Sequence, residues 1–181
     1  FHPLNNFCEA NNKHLKGKKN MPSHTMELPR QIVVGEKNID SVGSFLNSLK
    51  KTKKISLVSG SNVKKIVQKK IEASLIASKI KCYWYLAKTN DQKTIQDIEK
   101  KVRQSKSELV IGIGGGRSVD IAKLIGFNLN KPFVSIPTSA SHDGIASPFV
   151  SVKGDKPHSL VATAPLGVFV DVDIIKKAPK R

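Results

Sequence analysis

The sequence predicts an α/β fold, a mostly parallel sheet with helices on both faces, and three observations carry that expectation. Short apolar runs alternate with stretches whose apolar residues recur at helical spacing, and the alternation repeats along the chain. The run from Leu109 to Ile113 is far too short for a membrane helix but suits a buried strand. Glycines stand directly behind several runs, at Gly35, Gly60 and Gly114 to Gly116, where a parallel sheet must turn into its next helix.

The elements follow in order. Ile32, Val33 and Val34 predict a strand stopped by Gly35; Ile39, Val42, Phe45, Leu46 and Leu49 then share one helical face. Ile55, Leu57 and Val58 form a second strand, ended by Ser59-Gly60-Ser61, and Val63, Ile66, Val67 and Ile71 give the next helix face. Tyr83, Trp84 and Tyr85 read as a strand, followed by a helix through Ile95, Ile98 and Val102 with Thr89, Asn90 or Asp91 as its N-cap. Leu109 to Ile111 is a strand, and Val119, Ile121, Ala122 and Ile125 mark the helix behind its glycines. Phe133, Val134 and Ile136 form another strand, stopped by Pro137. After that the rhythm loosens. Phe149 to Val152 and Leu160 to Ala162 flank a Gly154-Asp155 turn as a β-hairpin. Val168 to Val170 make a last strand, with Asp171 or Asp173 capping a helix that has barely begun at Arg181, so the ending reads as a cut.

Residues 1–25 read as a separate piece, a disordered leader or upstream translation, because their Asn and Lys show no period; Met21 or Met26 would then be the start. Residues 26–181 form the single α/β domain. Hydrophobic residues at 39% and charged ones at 25% favour a globular, water-soluble chain over a disordered one. Cys8 and Cys82 make neither a disulfide scaffold nor a zinc spacing, which favours a reducing, cytoplasmic setting. The 31 Lys+Arg exceed the 14 Asp+Glu by 17, a surplus that attracts anions. Lysines recur on nearly every polar face, and no aromatic-interleaved basic stripe accompanies them, so neither nucleic acid nor a membrane is the expected partner.

Two strand ends are dense in chemistry. In Gly112-Ile113-Gly114-Gly115-Gly116-Arg117-Ser118-Val119-Asp120 the glycines let backbone N–H groups approach a phosphate, and the helix behind offers its positive end. Arg117 stands where the dinucleotide fingerprint would have its third glycine, and the Walker lysine is absent. The second is Pro137-Thr138-Ser139-Ala140-Ser141-His142-Asp143-Gly144, continuing through Ser147 to Pro148. Its adjacent Ser, His and Asp are a weak triad signal, since triads are spatial constellations; Asp143 before Gly144 also suits an Asx turn.

Together, Ile111 to Asp120, Ser135 to Pro148 and Ala164-Pro165-Leu166-Gly167 to Pro179 resemble the sn-glycerol-1-phosphate dehydrogenases, of the iron-alcohol-dehydrogenase and dehydroquinate-synthase-like group. The resemblance starts at Met26, is strongest from Leu109 on, and implies a Rossmann-like sheet. It implies that Gly115, Gly116, Arg117, Ser118, Val119 and Asp120 hold the pyrophosphate side of NAD or NADP, that Thr138, Ser139, Ala140, Ser141 and Ser147 line the cofactor, and that Asp143 contacts the substrate. The implied reaction reduces dihydroxyacetone phosphate to sn-glycerol 1-phosphate for ether phospholipids. A zinc ion would polarise the carbonyl, its Asp and His ligands lying in a helical domain beyond the position of Arg181, so that this chain is the cofactor-binding half, inactive alone. A homo-oligomer is compatible with the full-length protein. Two alternatives stand beside this. One is a glycerol dehydrogenase-like relative, which the His142-Asp143-Gly144 to Pro148 run argues against. The other is a non-catalytic nucleotide- or nucleic-acid-binding module.

Overall fold

The computed structural model describes residues 27–140, 145–152 and 158–178. The expected leader, residues 1–25, lies outside the described residues, as do Ser141, His142, Asp143, Gly144 and the Gly154-Asp155 turn.

β1 (Gln31–Gly35) leads through a 3-10 turn (Asn38–Ser41) into α1 (Val42–Leu49). Next come β2 (Lys54–Ser59), α2 (Ser61–Ala77), β3 (Lys81–Leu86), α3 (Gln92–Ser105), β4 (Leu109–Gly114), α4 (Gly116–Asn128) and β5 (Phe133–Pro137). The hairpin of β6 (Phe149–Val152) and β7 (His158–Val161) precedes β8 (Gly167–Asp171) and the short α5 (Val172–Lys176). Six strands form one sheet in the order β1-β8-β5-β4-β2-β3, and every pairing in it is parallel. β6 and β7 pair antiparallel, Phe149 opposite Val161 and Val152 opposite His158, which moves the hairpin's second strand two residues earlier than its sequence suggests.

The pleat explains the layers. In β2, Ile55 and Leu57 point to one face and Val58 to the other; in β4, Leu109, Ile111 and Ile113 oppose Val110. The first set packs with Val42, Phe45, Leu46 and Leu49 of α1 and Val67, Ile71 and Leu75 of α2. The second packs with Ile95, Ile98 and Val102 of α3 and Val119, Ala122 and Ile125 of α4. β4 has helices on both sides and all six of its residues are buried, the reason its sequence is a continuous apolar run broken only by glycine. Each such aliphatic side chain contributes about 1.5–3 kcal/mol by leaving water.

Two local expectations change. The apolar face from Ile39 to Leu49 is divided between the 3-10 turn and α1, with Ile39 still buried. Ile66 leaves the buried face of α2: that face runs through Val67, Ile71, Ser74 and Leu75, and Ile66, a residue off the stripe, is 61% exposed.

Candidate functional site

The order of the strands places a crevice. From β2 the chain passes through α2 to β3 on one side, whereas from β4 it passes through α4 to β5 on the other. α2 and α4 therefore leave adjacent strands toward opposite faces, and the loops behind β2 and β4 diverge. In an open parallel sheet this reversal, outside the carboxyl ends of the strands, is where ligands bind.

Local chemistry shapes both helix starts. Gly114 closes β4 at φ 142°, a conformation that only glycine adopts readily, and a Cβ there would lie 3.0 Å from Ser118 Oγ. Gly112 is needed for contact: a Cβ would come within 2.9 Å of Val119 Cα, so α4 presses directly on β4. The positive φ thus belongs to Gly114 among the described glycines. Gly115 differs from both. It is the N-cap of α4 in extended conformation (φ −79°, ψ −174°) with no side-chain cap, and a Cβ there would meet nothing within 4 Å. Its missing side chain leaves open space. Gly60 holds the same position at α2, again with nothing within 4 Å of a Cβ. The leading N–H groups of a helix have no carbonyl behind them, so here two sets of backbone donors front the crevice.

Between them lies a cleft of about 420 Å³, lined by Asn62, Val63, Ile66 and Val67 of α2, Gly115 and Gly116, Thr138 and Ser139 behind β5, and Ile174, Lys177 and Ala178 at the α5 end. Thr138 N donates to Gly114 O at 3.0 Å, which fastens the hydroxyl-rich loop to the glycine turn. Open space beside a glycine N-cap, two helix N-termini and neighbouring hydroxyls suit a phosphorylated, elongated ligand such as a dinucleotide.

Of the residues singled out by sequence, the structure brings Gly115, Gly116, Thr138 and Ser139 to this cleft. Arg117 is exposed, and its Nη1 donates to Lys88 O at 2.9 Å, bracing the turn against the segment behind β3. Ser118 and Val119 are buried beneath the glycines, where they shape the turn. Asp120 is 4% exposed and its Oδ2 accepts from Ser151 N at 3.3 Å, so that oxygen is engaged with β6. Ala140 is exposed and Ser147 half-buried, and neither lines the cleft.

Comparison with known proteins starts from this geometry. The sequence model described as iron-containing alcohol dehydrogenase matches residues 33–179. The chain belongs to that family. Within it, the NAD(P)+ glycerol-1-phosphate dehydrogenase of Nitrosopumilus maritimus is 64% identical over 166 residues, covering 92% of this chain and 47% of that enzyme. The corresponding enzyme of Cenarchaeum symbiosum is 58% identical over 165 residues, covering 91% and 47%. The chain therefore spans about half the length of these curated relatives. Among solved structures, glycerol dehydrogenase from Schizosaccharomyces pombe superposes with a TM-score of 0.79 at 23% identity, over 87% of this chain and 41% of that one. NADH-dependent butanol dehydrogenase A from Thermotoga maritima gives 0.78 at 17%, over 88% and 46%. At such identities these two report a shared fold.

The family's half-length chain holds a second, larger cleft of about 540 Å³ at the amino ends of the strands, among Arg30, Phe127, Lys131, Pro132, Thr163 and Leu166. Its backbone is already paired: Leu166 N donates to Phe133 O, Lys131 N to Gly126 O and Arg30 N to Leu166 O. The carboxyl end of α4, which repels anions, faces it. Size alone is no guide to the site here. Among the described residues no three His, Cys, Asp or Glu side chains converge as metal ligands, so these residues offer a metal no site. Likewise, no described helix is long and apolar enough to cross a membrane.

Sequence reasoning passed over two contributions in this family member. Ile174 and Lys177 close the cleft from α5, and only the sheet order brings them there. Lys123, fully buried on α4, reaches the segment before and within β6. A lysine three residues after Asp120, among Val119, Ala122 and Gly126, was the available signal, because buried lysines are kept only when paired.

Proposed function

We propose that this chain is the cofactor-binding part of an NAD(P)-dependent dehydrogenase that reduces dihydroxyacetone phosphate to sn-glycerol 1-phosphate. The observation that carries it is the cleft at the sheet's reversal, with the open Gly115 N-cap at its floor, in a chain 64% identical to a glycerol-1-phosphate dehydrogenase. In this reading residues 26–181 are the nucleotide-binding domain. The N–H groups of Gly115, Gly116 and Arg117 receive the pyrophosphate, with Ser118, Val119 and Asp120 supporting the turn. Thr138, Ser139, Ala140, Ser141 and Ser147 flank the cofactor, and Asp143 holds the substrate. Bound NAD(P)H supplies the hydride. The chain's own contribution is to orient the dinucleotide and keep it against the sheet, for which several convergent N–H bonds outweigh a dipole contribution of about 0.3–1 kcal/mol.

Zinc, the cytoplasm and a role in ether phospholipid synthesis belong to the same proposal, the metal ligands coming from outside the stretch described. Fluorescence titration of the 181-residue chain with NADH and NADPH tests the cofactor half: saturable binding of either is expected, and no binding removes the reading. Turnover of dihydroxyacetone phosphate, but not dihydroxyacetone, by the longest polypeptide the gene encodes tests the substrate. The opposite preference would favour a glycerol dehydrogenase.

A further inference from the structure

Lys123 is fully buried, the largest of the described side chains so placed, yet the helix around it is apolar. Its Nζ donates to Ser147 O at 2.6 Å and to Phe149 O at 2.8 Å. One turn earlier, Asp120 Oδ2 accepts from Ser151 N at 3.3 Å. Three bonds thus tie the stretch from Ser147 to Ser151 to α4, whose first turn is the glycine turn of the cleft. The bonds from Lys123 are charge-assisted, which makes such bonds shorter and stronger than neutral ones.

A buried ammonium is expensive to desolvate, and a methionine of similar length would pack the same space without that cost. What the ammonium supplies and methionine does not is a fixed position for two backbone carbonyls outside regular helix pairing. That requirement is informative. The stretch it holds begins at Ser147, four residues after Asp143 in the chain, so Lys123 fixes where Ser147, the described end of that run, stands relative to α4.

We propose that Lys123 is a positioning residue: it couples the helix that begins at the cofactor's phosphates to the segment that carries the substrate-side loop, so that the two are held in one geometry during hydride transfer. The inference rests on the dehydrogenase reading given above. It assigns no contact between Lys123 and the substrate or cofactor; the side chain acts through Ser147 and Phe149.

The test compares the full-length enzyme with its Lys123→Met and Lys123→Arg variants. For Lys123→Met we expect amide hydrogen exchange in residues 145–152 to rise at least tenfold, and kcat/KM for dihydroxyacetone phosphate to fall at least tenfold. The NAD(P)H dissociation constant should change less than threefold, and exchange in the glycine turn should stay at the wild-type rate. Lys123→Arg, which keeps the donors, should recover part of the loss. Looser exchange with unchanged kcat/KM would overturn the proposal, leaving Lys123 a structural residue. So would equal losses of cofactor affinity and turnover, or unchanged exchange. If Lys123→Met does not fold, Lys123→Arg decides by the same measurements: a turnover loss confined to kcat with wild-type cofactor affinity supports coupling, and wild-type turnover with loosened exchange overturns it. An inactive wild-type enzyme would instead defeat the dehydrogenase reading itself, and the proposal with it, whereas a wild-type enzyme active alongside an equally active Lys123→Met would defeat only the positioning role.

Discussion

Leaving aside α1, which a 3-10 turn leads into, four described helices begin at the carboxyl edge of the sheet, and they begin in two ways. α3 starts at Asp91, whose side chain accepts from Thr94 N, and α5 starts at Asp171, which accepts from Asp173 N and Ile174 N. α2 and α4 start at Gly60 and Gly115, with no side-chain cap and with open space where a side chain would stand. The first pair satisfies its own donors. The second pair, beside the cleft, has no side chain that caps its leading N–H groups. An N-cap aspartate is the better local choice for helix stability, though by only a few tenths of a kcal/mol over glycine. The two glycines therefore give up little stability and keep open space beside the leading N–H groups of their helices.

The comparison breaks most sharply at Gly115→Asp. The extended backbone there accepts an aspartate cap, so the chain should fold with unchanged or slightly higher thermal stability. NAD(P)H affinity should fall roughly a hundredfold, because the carboxylate takes the N–H groups and repels phosphate; lost hydrogen bonds to a charged group are worth about 1.5–3 kcal/mol. Wild-type affinity in a fluorescence titration would take the α4 terminus out of the site. Gly115→Val fills the same space without the charge, and a loss of about tenfold is expected by the same titration, between one and two kcal/mol at roughly 1.4 per factor of ten. A Val loss as large as the Asp loss would mean that shape, not donor competition, governs the site.

Gly60→Asp should have a smaller effect, about threefold, since α2 contributes the side wall of the cleft rather than its floor. A loss exceeding that of Gly115→Asp, measured side by side, would exchange the roles of the two helices.

The smallest effect is expected at a closed terminus. Hydrogen bonds from the Thr89 hydroxyl and then from Thr94 N hold the Asp91 carboxyl below its ordinary value. A carboxyl whose pKa is lowered on folding stabilises the native state above the unfolded value, and that contribution is lost as pH falls through the folded one. Asp91→Ala should therefore lower the melting temperature slightly at pH 7 and leave it unchanged at pH 2, with NAD(P)H affinity at wild-type level. A larger destabilisation in acid than at neutrality would reverse the sign of this linkage.

Much of the fold was legible in the chain because its signals are local. Short contiguous apolar runs marked each sheet strand and helical spacing marked each long helix, and the N-cap of α3 lay among the three residues named for it. The glycine turn was legible for the same reason: four glycines in five positions point to close backbone approach whatever the partner. Ile66 was misplaced because helical spacing tolerates a residue at the edge of the stripe, and only packing decides which side of that edge is buried.

The sequence by itself determined the elements, their parallel tendency and the backbone chemistry of the turn behind β4, since all three depend on residues close in the chain. The tertiary structure alone decided that β2 and β4 lie side by side with their helices on opposite faces, and that Ile174 and Lys177 of α5 meet Asn62 of α2 across one cleft. It also decided that the Lys123 ammonium reaches carbonyls 24 and 26 residues away. Such juxtapositions arise from strand order and burial, and a buried charge can be read from a sequence only once the groups that pair with it are known.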